Sequence, residues 1–411
     1  MLAEIYPRYH SRYRSLPVLG PYLDGFVDWL QDKGHPWLPT RLRVRAAGFL
    51  DAELRARGVR DVGELTAAEL LEYAPPDSQE DVYRSAVVRS LVSYFGELGV
   101  LTPAPETPRL RLVAAYRRHL ERVRGFAPST VKHHAAIIAE LLAFIGYDDD
   151  ADRLSTLDQH DVESFIKVLS QRHCRASLQH GIANLRSFFR FLRGQRMIDV
   201  ELGEQIDTPR VYRDERLPRS IQWHTVRALL GSIDRSSAMG RRDYAMLLLV
   251  TSYGLRASEV VALTLDDIDW RAERLRVRRS KVQSPLELPL IPEVGAAVID
   301  YLRDGRPDLP YREVFLRVRA PAGALKPTAL TEVFQGRVRR SRLPIPFQGV
   351  HCLRHSLAVH LLRQGASLKQ IGDLLGHRSP ESTCVYLRLQ TEDLRDVALP
   401  LPSATDQGVH Q

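Results

Sequence analysis

Cysteine, lysine and long apolar runs are scarce in this chain of 411 residues. The three cysteines, Cys174, Cys352 and Cys384, are odd in number and far apart, a pattern that argues against a disulfide framework and fits no zinc cluster. No apolar run is long enough to cross a bilayer, and the first residues lack the apolar core of a secretory signal. We therefore expect a cytoplasmic protein with reduced thiols, no bound metal and no membrane partner.

Because lysine is scarce, arginine is the dominant cation, and the chain has a formal net charge of +8 and a sequence pI of about 9.5. The lysines are Lys33, Lys132, Lys167, Lys281, Lys326 and Lys369. A basic chain favours a polyanionic partner, and arginine suits bidentate contacts to phosphate. A GC-rich genome would also enrich arginine codons without any functional cause, so composition alone does not establish DNA binding.

Two proline-containing stretches, over residues 101–108 and 206–218, divide a chain that is too long for one compact domain. We interpret both as linkers. The predicted parts are an extra helical segment over 1–104, a helical domain over 105–208, a mixed domain over 209–390 and a tail over 391–411.

The middle segment has the apolar periodicity of a small helical bundle, as at Leu112, Tyr116 and Leu120. Further along, the sequence Pro-Ser-Thr at 128–130 predicts a helix start with Ser129 or Thr130 as the cap. These patterns predict that the middle segment is entirely helical.

The first segment resembles the middle segment at two places. Residues 65–73 resemble residues 157–165, and residues 89–95 resemble residues 186–192. One interpretation is a duplicated helical module, and the other is a chance similarity between short amphipathic helices.

The third segment combines helical and strand periods. Residues 244–250 form an apolar helical run, whereas 274–279 and 286–290 alternate like two strands around a hairpin turn over 280–285. The remainder has helical periodicity. The predicted fold class is therefore mainly α with a small β-sheet, in which helical N-terminal parts precede an α+β domain.

Five short stretches of the third segment follow one another in a distinctive order. They are Tyr-Gly-Leu-Arg-Ala-Ser-Glu at 253–259, Lys281 in the hairpin, His-Cys-Leu-Arg at 351–354, Leu-Gly-His at 375–377, and Tyr386. This order resembles that of the tyrosine recombinase (phage integrase) family. The resemblance covers residues 215–390, and it extends more loosely to the middle segment, which looks like the family's core DNA-binding, SAM-like domain. Tyr253 stands where the family often has threonine.

The resemblance implies a catalytic set and a mechanism. The implied catalytic residues are Arg256, Lys281, His351, Arg354, His377 and the nucleophile Tyr386, with Glu259 in a supporting role. It also implies an α+β tyrosine recombinase catalytic domain over 209–390, which cleaves and rejoins DNA through a 3′-phosphotyrosyl intermediate. No metal or cofactor is implied, and no GxxxxGK[ST] loop for a nucleotide occurs.

The residue types in this set suit phosphoryl transfer. Pre-placed guanidinium groups at Arg256 and Arg354 stabilise the negative charge that develops on the phosphate oxygens. A tyrosine has an unperturbed pKa of about 10, so forming its phenolate at pH 7 costs about 4 kcal/mol, and attack by Tyr386 needs a proton acceptor or local positive charge. We expect His351 to be that acid/base group.

The other members of the set have supporting chemistry. We expect His377 to donate a hydrogen bond to the phosphate and Lys281 to protonate the leaving 5′ oxygen. Isolated arginines in so arginine-rich a chain would more often be surface ion pairs, and the flanking motifs decide against that here. His355 and His360 lie in the same helix as His351, and for these two a structural role is the prediction.

By the resemblance, the partners are double-stranded DNA and other copies of the chain. Four protomers would synapse two DNA sites, and the tail over 391–411 would pack on a neighbour; partner recombinases remain an option. The extra first segment favours an integrase or transposase of a mobile element. The alternatives are a Xer-like resolvase of chromosome dimers or plasmids, a type IB topoisomerase, and a catalytically silent DNA-binding protein.

Overall fold

The computed structural model describes residues 2–74, 82–204, 206–210, 218–279, 285–377 and 379–389. Lys281 and most of the predicted hairpin turn lie outside the described residues, as does the predicted tail over 391–411. The described part is mostly helical and contains two small sheets, so the predicted fold class is confirmed. Within the described ranges, no helix combines the length and the apolar character needed to cross a bilayer.

The chain divides into two compact units. One unit comprises Met1–Leu65, Glu69–Leu101 and Leu217–Gln411, and the other comprises Thr66–Ala68 and Thr102–Arg216. Residues 2–101, residues 112–206 and residues 221–353 each supply a separate hydrophobic cluster, and a smaller fourth cluster lies over 358–386.

The described residues of the first segment form six α-helices and a 3-10 turn. They are α1 (Leu2–Ile5), α2 (His10–Arg14), α3 (Gly20–Asp32), α4 (Trp37–Ala56), the 3-10 turn Val62–Glu64, α5 (Ala67–Glu72) and α6 (Val82–Leu98). Asp51 of α4 is fully buried, and its carboxylate accepts the backbone N–H groups of Val18 and Leu19 at 2.9 and 2.8 Å. These two bonds fasten the chain before α3 to α4.

The middle segment has four α-helices and a 3-10 turn. They are α7 (Pro108–Arg122), α8 (Pro128–Phe144), the 3-10 turn Ala151–Leu154, α9 (Gln159–Arg172) and α10 (Arg175–Gly194). The predicted face of Leu112, Tyr116 and Leu120 is buried. The predicted cap of α8 is wrong, because Ala127 is the N-cap, has no side-chain bond to the helix, and Pro128 is the first helical residue.

In their described residues, the two helical segments share an order of elements and two chain reversals. In both, two long helices are followed by a 3-10 turn with an aspartate N-cap, Asp61 or Asp150, and then by two further helices. The second long helix ends at a left-handed glycine in each segment, Gly58 with φ 84° and Gly146 with φ 71°. The last helix ends alike, at Gly99 with φ 68° and at Arg196 with φ 57°.

The third segment surrounds one buried helix. Its elements are α11 (Trp223–Gly231), α12 (Ala238–Tyr253), α13 (Ala257–Val261), the 3-10 turn Leu265–Asp267, β1 (Ile268–Asp269), β2 (Arg274–Val277), β3 (Leu286–Pro289), α14 (Pro292–Asp304), β4 (Leu316–Arg317), β5 (Gly323–Ala324), α15 (Pro327–Ser341), α16 (His351–Arg363), α17 (Leu368–Leu375), α18 (Glu381–Cys384) and the 3-10 turn Val385–Leu389. Helix α12 is apolar nearly all round and packs against α14, α15 and α16, which is typical of a central core helix.

The sheets of this segment are small and antiparallel. Strands β1, β2 and β3 form one sheet in that order, with Arg274 opposite Pro289 and Val277 opposite Leu286, and β4 pairs with β5. The two strands predicted over 274–279 and 286–290 are thus confirmed, although both end one or two residues early. The pairing of β2 with β3 brings together the two described stretches that precede and follow Lys281 in the sequence.

Candidate active site

The first arginine motif lies where the central helix α12 ends. Gly254 has φ 64°, a left-handed conformation in which glycine has no Cβ penalty, and its N–H donates to the carbonyl of Val250 at 2.9 Å. The chain then reverses, and Arg256 becomes the N-cap of α13. The glycine therefore sets the direction in which Arg256 leaves the core.

Glu259 binds Arg256 in two ways. Its carboxylate accepts the backbone N–H of Arg256 at 2.8 Å and the guanidinium at 2.7 Å. Glu259 is only 6% exposed, whereas 39% of the Arg256 side chain remains accessible. Glu259 thus holds one side of the guanidinium while another side stays open to a ligand, and the supporting role of Glu259 stays a prediction.

Arg354 is the most deeply buried cation of the site, at 2% exposure on α16. Its guanidinium donates to the carbonyl oxygens of Gly254 and Leu375, which close the ends of α12 and α17. Burial, and then the charge of Arg256, lower the pKa of Arg354 to about 10, so the group remains cationic at pH 7. One arginine therefore joins two helix ends and places positive charge between them.

Tyr386 lies against this charge and is itself 1% exposed. The sequence Ser379-Pro380 predicts the start of a helix that bears Tyr386, with Ser379 as the N-cap. In the structure Pro380 is the N-cap of α18, which ends at Cys384, and Tyr386 belongs to the 3-10 turn Val385–Leu389. Burial raises the pKa of Tyr386, and the nearby charges of Arg354 and Arg256 oppose that rise.

The hydroxyl of Tyr386 has a histidine partner that the motif analysis did not assign to it. Nδ1 of His355 lies 2.9 Å from Oη of Tyr386. His355 was predicted to be structural, because it follows the second arginine directly and stands outside the family's catalytic pattern. A helical wheel would have placed it one turn from His351, on the same side of α16.

His351 is at the first position of α16 and is exposed at the surface of the site. Its ring stands nearly perpendicular to that of His355, with 4.6 Å between the ring centroids. Although His351 is exposed overall, partial desolvation of its ring, followed by the charges of Arg354 and Arg256, lowers the pKa of His351. No direct bond between His351 and Tyr386 occurs among the contacts of the described residues, so His355 lies between the predicted base and the predicted nucleophile.

His377 stands on the other side of Tyr386. The sequence predicts a helix that starts near Ser367 and is capped by Gly376. In the structure Ser367 is the N-cap of α17, and Gly376, with φ 63°, is its C-cap and places His377 in the site. Nδ1 of His377 lies 2.8 Å from the hydroxyl of Thr383, and its ring is nearly parallel to that of Tyr386 at 6.2 Å. Burial and the surrounding arginines lower the pKa of His377 to about 4, so it is neutral at pH 7.

A third arginine lies in the site, and no sequence motif predicted it. Arg279 follows β2, donates to the carbonyl of Leu374 at 2.8 Å, and keeps its Nε buried without a partner, 4.0 Å from Glu259. The strand period alone could not reveal this, because it depends on where α17 ends. The site therefore brings together Arg256, Glu259, Arg279, His351, Arg354, His355, His377 and Tyr386.

Nothing in the described ranges groups three or more His, Cys, Asp or Glu side chains as a metal ion would require. Cys352 is buried, Cys174 and Cys384 are exposed, and none of these three cysteines forms a disulfide. The polar side chains that the structure brings together at this site are arginines, histidines, one glutamate and one tyrosine.

Two family models match this chain. Residues 219–393 match the "Phage integrase family", and residues 113–196 match "Phage integrase, N-terminal SAM-like domain". Both regions were predicted from motifs, the second only loosely.

Similar proteins carry related names. The chain is 34% identical over 400 residues to y4rA of Sinorhizobium fredii, provisionally named an integrase/recombinase, with 94% of this chain and 96% of that protein covered. It is 31% identical to "Tyrosine recombinase XerD" of Listeria monocytogenes, over 67% of this chain and 92% of the relative.

Solved structures share the fold at low identity. XerH recombinase bound to palindromic difH substrate has a TM-score of 0.55 at 15% identity, over 70% of this chain and 86% of that one. A lambda integrase dimer bound to a COC′ core site has a TM-score of 0.52 at 17% identity, over 67% of this chain and 94% of that one.

Proposed function

The chain belongs to the phage integrase family of tyrosine recombinases, and we propose that it recombines DNA at specific sites through a 3′-phosphotyrosyl bond formed on Tyr386. The observation that supports this most is the surroundings of one hydroxyl. Oη of Tyr386 is 2.9 Å from His355, its ring stacks with that of His377, and the charges of Arg354 and Arg256 act on its pKa. A tyrosine with only a packing role has no need of this polar environment.

The arginines stabilise the negative charge of the reacting phosphate in this proposal. A phosphodiester under attack gathers negative charge on its non-bridging oxygens, and guanidinium groups that are already in place stabilise it without reorganising. Arg256 is oriented by Glu259 and remains 39% accessible, so it is positioned to make the first contact with DNA. Arg354 adds charge from within, and its position is set by two backbone carbonyls rather than by the substrate.

The remaining roles concern protons and hydrogen bonds. His351 is an acid/base group on the exposed side of the site, and neutral His377 donates a hydrogen bond to the phosphate. Lys281, which lies outside the described residues, supplies the proton for the leaving 5′ oxygen. The phosphotyrosine ester conserves the energy of the broken backbone bond, so rejoining needs no nucleotide, and this set of side chains requires no metal.

Access to Tyr386 requires a local rearrangement. At 1% exposure its hydroxyl cannot be reached by a phosphodiester in the described conformation. We propose that DNA binding, and contact of the tail over 391–411 with a neighbouring protomer, drive this change in a tetramer on two DNA sites.

The helical segments supply the remaining DNA contacts in this proposal. The segment over 105–208 contains the match to the SAM-like domain and acts as the core DNA-binding domain. The shared element order and the equivalent reversals at Gly58 and Gly146 support the segment over 1–104 as a second copy of that module. The similarity to y4rA spans 94% of this chain, so the extra segment is part of a longer type of recombinase.

The additional segment over 1–104 favours a mobile-element integrase or transposase over a housekeeping resolvase. The similarity to XerD covers 92% of that relative but only 67% of this chain, so the shorter protein has room for little more than the matched part. The integrase acts in the cytoplasm, alone or with partner recombinases. Loss of recombination in a strain lacking other recombinases would identify a partner requirement.

The test is covalent capture on a nicked suicide DNA that contains the candidate site. Wild type should form a protein–DNA adduct on a denaturing gel, in the presence of EDTA, and Tyr386→Phe should form none while binding DNA normally. Tyr311→Phe is the matched control, because Tyr311 is 41% exposed and away from the described site. DNA binding without any adduct would favour the silent DNA-binding protein, and relaxation without joining of two labelled duplexes would favour the topoisomerase.

A further inference from the structure

The partner of the Tyr386 hydroxyl is His355, one helical turn further into α16 than the histidine of the family pattern. The two residues are joined at 2.9 Å, and both have limited contact with solvent. His351, the motif histidine, contacts the ring of His355 and is exposed. The three side chains thus form a line that begins at the buried phenol and ends at the surface.

We propose that His355 is a catalytic residue that accepts the phenolic proton of Tyr386 during DNA cleavage. This rests on the proposed function, and it assigns to His355 the task for which the motifs indicated His351. As Oη of Tyr386 forms its bond to phosphorus, the Oη–H bond breaks and the proton moves to Nδ1 of His355. The bond from phosphorus to the 5′ oxygen breaks, and that oxygen takes a proton from a separate acid, the role given above to Lys281.

The surroundings of His355 keep its imidazole neutral, so that it has a free lone pair for a proton. Every titratable group that acts on its charge is cationic or neutral at pH 7: His351 and Arg354 on α16, His377 after α17, and Tyr386 itself. Burial and these neighbours lower the pKa of His355 to about 4, so the free imidazole is neutral. With its proton on Nε2, the ring presents an open lone pair at Nδ1 to the phenol.

The arrival of DNA strengthens this arrangement. A bound phosphate adds negative charge beside Arg354, which otherwise disfavours a second positive charge on His355. The imidazole becomes a better base when the substrate is present and remains a poor one when it is absent. His351, in ring contact on the solvent side, then stabilises the imidazolium or passes the proton on to water.

The test compares His355→Asn with wild type in single-turnover adduct formation between pH 6 and pH 9. Asparagine keeps a polar atom near the place of Nδ1 but cannot accept a proton. We expect normal DNA binding and adduct formation slower by about 10²-fold or more at pH 7. The rate of the variant should then rise with pH, because phenolate must form without a protein base, whereas that of wild type stays nearly flat.

A second substrate separates the two protons of the reaction. A 5′-bridging phosphorothiolate leaves as a thiolate and needs no acid, so the defect of His355→Asn should persist on it. His360→Asn is the matched control, since His360 lies in the same helix but stacks on Trp223 at 4.2 Å, away from Tyr386. The control should react at the wild-type rate on both substrates.

Four results would overturn the proposal. Faster cleavage by His355→Asn would make the hydrogen bond a restraint on Tyr386, and an equal defect at every pH would make His355 a structural residue. Rescue by the thiolate substrate would assign His355 to the leaving group. Loss of DNA binding in both His355→Asn and His355→Gln would place it in the folded framework. Failure of the proposed function is distinct, because wild type itself would then form no adduct.

Discussion

Glu259 bonds both the backbone N–H and the guanidinium of Arg256, at 2.8 and 2.7 Å. The same carboxylate lies 4.0 Å from Arg279, so one nearly buried anion compensates two cations of the site. The arginine that is open to DNA is therefore oriented by a group that has no need to touch the substrate.

Glu259→Gln should weaken both the orientation and the charge balance. The amide can still accept the backbone N–H, but its NH₂ group would face the Arg256 guanidinium. We expect adduct formation to slow by roughly tenfold or more, and the free energy of unfolding to fall by about 1–3 kcal/mol, because Arg279 and Arg256 then lack a buried counter-charge. Urea denaturation and the suicide-substrate assay measure the two effects.

The matched control for that variant is Glu140→Gln. Glu140 pairs with Arg172 at 2.9 Å, but both side chains are largely exposed, at 43% and 56%. The free energy of unfolding of Glu140→Gln should differ from that of wild type by less than about 1 kcal/mol, as is usual when a surface ion pair is lost. Equal losses in the two variants would contradict the role given to the buried carboxylate.

Gly254→Ala should be more damaging than an equivalent change at Gly365. Both glycines have positive φ, 64° and 83°, but a Cβ at 254 would lie 2.4 Å from Cδ2 of the buried Leu375, whereas at 365 it meets nothing within 4 Å. We expect a loss of about 2–4 kcal/mol at 254 and about 1 kcal/mol at 365. Thermal or urea denaturation of the two variants decides this, and similar losses would remove the steric argument.

Opposite substitutions after the last helix of each helical segment test whether the two helix ends are equivalent. Gly99 and Arg196 both have left-handed φ, and each precedes an N–H donated back to the helix, from Val100 to Phe95 and from Met197 to Leu192. Gly99→Ala should cost about 1 kcal/mol, and Arg196→Gly should stabilise by up to about 1 kcal/mol. Differential scanning calorimetry should show opposite shifts, and shifts of one sign would refute the comparison.

Stability should depend on pH through His355. Its pKa in the folded chain is about 4, below the value of about 6.5 for an unfolded histidine, so the unfolded state binds more protons between these values. The contribution is complete above pH 6.5 and is lost as the pH falls towards 4. From pH 7.5 to pH 4.5, wild type should lose about 1–3 kcal/mol more than His355→Asn in urea denaturation. Parallel losses in the two proteins would show that His355 is not protonated on unfolding.

Local patterns were sufficient for the helices and for the order of the motifs. The apolar faces of α7 and α12, the left-handed Gly376 and the cap at Ser367 follow from short stretches of chain, because helix periodicity and capping depend on neighbours within four residues. The errors were equally local: the starts of α8 and α18 differ by one to three residues from the predicted caps. Both helix starts have a proline next to a serine. Because proline favours the first helical turn and serine favours the N-cap, the two signals can place the start of the helix at different residues.

The chemistry of the site was predicted from the resemblance of five short stretches to a known family, which implied a tyrosine, two arginines and two histidines acting in phosphoryl transfer. Which histidine touches Tyr386 could not be derived, because His351 and His355 lie on one side of α16 and only the packing of the turn Val385–Leu389 selects between them. The same holds for Arg279, which reaches the site because α17 ends beside β2. Hydrogen bonds between residues 31 and 95 positions apart depend on how whole elements pack, and no local pattern encodes that distance.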